Sequence, residues 1–72
     1  YPREVLKRAL LMNASALILV RNHPSGDPEP SDADLKMTKE IQKGCKTLGL
    51  TLHDHIFVGA GREISLRARG DL

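Results

Sequence analysis

Apolar positions recur along this chain with three different spacings. Val5, Leu6, Ala9, Leu10 and Leu11 keep helical spacing behind Pro2, with Lys7 and Arg8 on the other face. They predict a first helix that ends at Met12-Asn13. Ala14 to Val20 is a continuous aliphatic run of strand length. Such a run is expected to be buried on both faces, as in a parallel sheet. Residues 22–30 contain three prolines and one glycine and must be loop. A second helix is predicted from Ser31 to about Leu48, with Leu35, Thr38, Ile41, Cys45 and Leu48 as its apolar face. Gly44 is a weak point inside it, costing about 1 kcal/mol relative to Ala, and Gly49 suits the position after its end.

Leu50 to Val58 alternates as a strand, Gly59 to Arg62 forms a turn, and Glu63 to Leu66 reads as a short closing strand. The order α-β-α-β-β defines an α/β fold with a mixed sheet, its first two strands parallel across a right-handed helical crossover. Strict alternation puts Leu50, Leu52, Asp54, Ile56 and Val58 on one face and Thr51, His53, His55 and Phe57 on the other. Asp54 then lies in an aliphatic row and needs a partner, with a histidine or an arginine the natural candidate. His53 is expected to be half-buried beside Phe57, and for His55 a structural and a functional role stay equally open.

At 72 residues the chain holds one domain at most, and 40% hydrophobic content suffices for a core. With Tyr1 and Phe57 its only aromatics, that core must be aliphatic. Eleven Lys and Arg against nine Asp and Glu leave a net charge of +2, short of the dense basic patch of a dedicated DNA binder. The basic side chains Arg3, Lys7, Arg8, Lys36, Lys39, Lys43, Lys46, Arg67 and Arg69 are spread along helices and tail, without aromatic stacking platforms. A lone Cys45 excludes a disulfide framework and fits a reducing, cytoplasmic setting. No run of 18 apolar residues suggests a membrane span. The chain begins without Met inside a helix pattern and is expected to be a fragment of a larger domain.

The chemistry concentrates between Arg21 and Asp34. His23 and Asp34 are residue types that ligate zinc, and a catalytic zinc needs three protein ligands plus a water. Ser31 could donate to an oxyanion formed there. Ser31-x-x-Asp34 ahead of an apolar-periodic run is equally a capping box, a purely structural role. Asp27 reads as a turn former, and Asn22 and Ser25 as loop hydrogen-bonders. Arg21 stands two residues before His23, and a guanidinium cannot ligate a metal because it keeps its proton. It is expected either to pair with Asp34 or to point to solvent at the strand end.

Arg21-Asn22-His23-x7-Ser31-x2-Asp34 resembles the JAMM motif His-x-His-x7-Ser-x2-Asp, with Arg21 in place of the first His. Tyr1-Pro2-Arg3-Glu4-Val5, Asn22-His23-Pro24-Ser25-Gly26-Asp27-Pro28, Asp54-His55-Ile56, Gly59 and Gly61-Arg62 resemble the bacterial RadC family of the JAB/MPN metalloprotease-like superfamily. The resemblance covers nearly the whole chain. It implies a JAB/MPN-like (cytidine-deaminase-like) fold, of which residues 1–72 would be the C-terminal part. It implies a zinc-dependent hydrolase of peptide or protein amide or isopeptide bonds, with metal ligands His23 and Asp34 and catalytic Ser31. It also implies a general-base Glu from an upstream strand, a position that Glu4, Glu29, Glu40 and Glu63 do not match. Three functions follow: a JAMM-type hydrolase with an impaired metal site, an inactive pseudoenzyme or interaction module, and a DNA-repair-associated accessory protein.

Overall fold

The structure, a computed structural model, describes residues 2–72. Helix α1 (Pro2–Leu11) leads into strand β1 (Ala16–Asn22), helix α2 (Asp32–Thr47), strands β2 (Thr51–Gly59) and β3 (Arg62–Ser65), and a one-turn helix α3 (Leu66–Arg69). The sheet order is β1-β2-β3. β1 and β2 are parallel, joined through α2, and β3 returns antiparallel to β2, so the sheet is mixed as the pattern predicts. Asn13 and Gly49 end the two long helices, with φ of 54° and 74°.

One face of the sheet carries the core. Ala9 of α1, Ile41 and Cys45 of α2, Leu50 just before β2 and Leu52 within it are buried together, with Val5, Leu6, Leu17, Leu19, Met37 and Leu72 packed around them. Gly44 is what lets α1 and α2 approach: a Cβ there would stand 2.5 Å from Leu6 Cδ1. The position that costs helix propensity thus permits a helix crossing. On α2, Thr38, Ile41 and Cys45 are buried as expected, whereas Leu48 at the helix end is exposed.

Two expectations need correction. β1 is not buried on both faces. Leu17 and Leu19 pack inward, but Ile18 and Val20 are 57% and 66% exposed. Both helices of the core lie against the same side, and β1 is an edge of the described sheet. The parity of β2 also breaks. Leu17 pairs with Leu52 but Ile18 pairs with Asp54, so His53 is the extra residue of a β-bulge. The bulge exchanges the faces of everything after it. Leu52, His55 and Phe57 are buried, His53 is exposed rather than half-buried, and Asp54 turns with Ile56 and Val58 to the half-buried face, away from Leu52.

The partners of Asp54 explain the bulge and α3. Its Oδ1 accepts from the His55 and Arg67 backbone N–H groups at 2.7 and 3.1 Å, and its Oδ2 from the Ser65 hydroxyl at 2.5 Å. Arg67 donates from Nε to the His53 carbonyl and from Nη2 to the Leu52 carbonyl, holding the bulged segment from outside. Ser65 caps α3 by accepting from Ala68 N–H at 3.1 Å, so the expected strand ends there and the chain turns into helix. A serine and backbone amides fill the place expected for a histidine or an arginine.

Candidate functional site

The site forms where the carboxyl end of β1 meets the N-terminus of α2. Arg21 leaves the last turns of β1's ladder, opposite Phe57. His23 N–H still bonds the Val58 carbonyl at 2.9 Å, which anchors the start of the loop to β2. The loop folds tightly over the sheet end, with Gly26 N–H on the His23 carbonyl at 2.9 Å and Gly26 at φ 88°. It can lie so close because β2 ends in Gly59: a Cβ there would meet Gly26 O at 2.8 Å. Asp27 Oδ1 accepts from Glu29 N–H at 3.0 Å, an Asx turn, and its carbonyl lies 2.9 Å from His23 Nδ1. Asp27 and Ser25 shape the loop, and Asn22 ends β1.

Ser31 and Asp34 form the reciprocal capping box. Asp34 N–H donates to Ser31 Oγ at 3.1 Å, and Ser31 N–H donates to Asp34 Oδ2 at 2.9 Å. The same Asp34 carboxylate receives Arg21 Nη1 on Oδ1 at 2.7 Å, and His23 Nε2 stands 3.3 Å from Oδ2. Burial works to raise the Asp34 pKa, yet the Ser31 backbone and side chain and then the Arg21 guanidinium hold it below 3.8. Of the two orientations open to Arg21 in the sequence, the ion pair is the one adopted.

The structure therefore gathers Arg21, His23, Ser31 and Asp34 at one place. Behind them lies a contact that helical spacing hides. Thr38 sits one turn after Asp34, and its hydroxyl donates to the Asp34 carbonyl at 2.8 Å while standing 2.7 Å from His55 Nδ1. His55 is 5% exposed and lies against Phe57 at 4.3 Å between ring centroids, with His23 edge-on to the same ring at 5.2 Å. Burial first, then the positive charge of Arg21, push the His55 pKa below 6.5. The signal for Thr38 is its i+4 spacing from Asp34, where a hydroxyl is a poor choice for a purely apolar face. His53 stands away from the site, exposed on the bulge.

Among the described residues no three His, Cys, Asp or Glu side chains are gathered as a metal ion would need. No helix is long and apolar enough to cross a membrane. Arg21 and His23 both contact the Asp34 carboxylate.

Comparison with known proteins places the sequence in a family. The family model described as RadC-like JAB domain matches residues 1–71. A UPF0758 protein of Ruegeria pomeroyi is 64% identical over 72 residues, covering 100% of this chain and 32% of that protein. A UPF0758 protein of Rhodobacter capsulatus is 64% identical over 70 residues, covering 97% of this chain and 33% of that protein. The chain spans about a third of the length of these curated relatives. With the sequence matched end to end and an α/β fold carrying a mixed sheet, the chain belongs to the RadC-like JAB domain family.

Proposed function

We propose that this chain carries a JAMM-type site of the amide-hydrolase class in which Arg21 takes the place of the first metal ligand. Zinc is then held weakly or not at all, and the chain is a weak or inactive hydrolase that keeps the site for binding a peptide or protein. The observation that supports this is the 2.7 Å ion pair between Arg21 and Asp34 beside His23.

The donor set does not fit a catalytic zinc. Neighbouring ligands of a tetrahedral zinc with bonds of 2.0–2.1 Å lie about 3.3 Å apart. His23 Nε2 and Asp34 Oδ2 meet that spacing at 3.3 Å. Among the described residues no third ligand joins them, and Arg21 cannot supply one because it never deprotonates. Its charge also neutralises the carboxylate on which a cation would depend. What the residues can do without a metal is hold an oxygen-rich group. Arg21 keeps further N–H donors beyond the one it gives to Asp34. The dispersed lysines and arginines favour a peptide partner over DNA, which would need a continuous basic surface.

Zinc titration of the protein at its natural length, beside its Arg21→His variant, tests the reading. Wild type should bind zinc weakly, and Arg21→His should gain a tetrahedral site with ligand distances of about 2.0–2.2 Å. Tight binding of one zinc by wild type through His23 and Asp34 would refute it, as would a variant that gains nothing.

A further inference from the structure

Thr38 has one hydroxyl proton and two close partners, the Asp34 carbonyl at 2.8 Å and His55 Nδ1 at 2.7 Å. A carbonyl oxygen only accepts, so the Thr38 proton belongs to it. The second contact closes only when His55 Nδ1 carries a proton and donates to Thr38 Oγ1. The ring is thereby set in its Nδ1–H tautomer, with a bare lone pair on Nε2. Among the described residues Nε2 has no hydrogen-bond partner.

His55 lines a cleft of about 140 Å³ with Val5, Leu19, Arg21, Met37 and Ile41. Its walls come from α1, β1 and α2 and are aliphatic apart from the two polar groups. Arg21 uses Nη1 on Asp34, and its Nε and Nη2 have no partner among the described residues. The cleft thus offers a cationic donor, a neutral acceptor and an apolar wall. Its volume is well below the roughly 300 Å³ at which drug-sized ligands fit. It has room for a single aliphatic side chain with its polar end.

We propose that this cleft binds the free carboxyl terminus of a polypeptide that ends in an aliphatic residue. The terminal carboxylate pairs with the free edge of Arg21. The last amide N–H donates to His55 Nε2, and the last side chain lies among Val5, Leu19, Met37 and Ile41. This assignment rests on the reading of Arg21 as the resident cation of the site. A small carboxylic acid shares the anionic and apolar features but lacks the amide N–H, so it should bind less well.

The test is a calorimetric titration of the protein at its natural length, once with chelator and once with an equivalent of zinc. The probes are an N-acetylated tetrapeptide ending in leucine, the same peptide as its C-terminal amide, and 4-methylpentanoate. With chelator, the free-acid peptide should bind at least tenfold more tightly than either other probe. Arg21→Gln should erase the preference for acid over amide. Nitrogen-15 chemical shifts of the His55 ring should show Nε2 unprotonated, shifting when the peptide binds. Equal binding of acid and amide, equal binding of 4-methylpentanoate, or no binding by wild type would overturn the proposal. Peptide binding that appears only with zinc would instead overturn the metal-free reading of the site.

Discussion

Leu6 of α1 fills the groove that Gly44 leaves on α2, its Cδ1 standing where a side chain at residue 44 would begin. The two effects of Gly44→Ala oppose each other. Alanine gains about 1 kcal/mol in helix propensity, and the new Cβ displaces Leu6. The displaced atom is the tip of a flexible side chain, so the single variant should change stability little. In a Leu6→Ala background the full propensity gain should appear. A double-mutant cycle should return a coupling of about 1 kcal/mol, and additive changes in the unfolding midpoint would show that the helices do not meet there.

Gly59 allows no such adjustment, because its neighbour is the backbone of Gly26 at 2.8–2.9 Å. Gly59→Ala must push the loop that carries His23 off the sheet end. The expected cost is about 1–3 kcal/mol, the range for overpacking. An unchanged denaturation midpoint would contradict the packing described.

Ser31→Ala removes the oxygen that receives Asp34 N–H while leaving Asp34 in place. It should destabilise the chain by about 1 kcal/mol, with or without added zinc. Loss of stability only in the presence of metal would assign Ser31 a role at a metal instead of at the helix end.

Acid should act on this fold in two stages. The His55 pKa is lowered by burial and then by Arg21, so the unfolded chain takes up a proton below 6.5 while the folded chain does not. Stability is full above 6.5 and begins to fall as the pH drops through that value. Asp34 and Asp54 are both held below 3.8 in the folded chain. For Asp54, burial opposes this, and the bonds from Ser65, Arg67 and His55 prevail. Their contribution is full above 3.8 and is lost only below it. As the pH drops below 6.5, the stability of wild type should fall more steeply than that of His55→Gln. Identical slopes there would remove His55 from the account.

Local patterns carry much of this fold. The spacing of Val5, Leu6 and Ala9, the capping signature at Ser31-x-x-Asp34, and the glycine at position 49 fix elements through neighbours in sequence. The spacing from Arg21 through His23 to Asp34 also marks the place where the structure gathers them, since a strand end and a helix start joined by a short loop must meet. The bulge is different. Alternation along β2 gives no sign that His53 is extra, because the cause lies in Asp54, Ser65 and Arg67, which meet only after β3 has folded back. The exposure of Ile18 and Val20 is equally silent in sequence: an aliphatic run reads the same whether one face or two are covered. Thr38 and His55 touch across 17 residues, a contact that helical periodicity in α2 and alternation in β2 cannot reveal separately.

The outer edge of β1 has a practical consequence for handling the isolated chain. That edge presents unpaired backbone donors and acceptors beside two exposed β-branched side chains, Ile18 and Val20. Strands of this kind template the addition of further strands, and natural sheets blunt them with charge or proline. β1 has only Arg21 near its end for that purpose. A solution of these 72 residues should therefore scatter more light as concentration rises, faster than a Val20→Lys variant does. The limit on studying the chain alone becomes colloidal before it becomes thermodynamic.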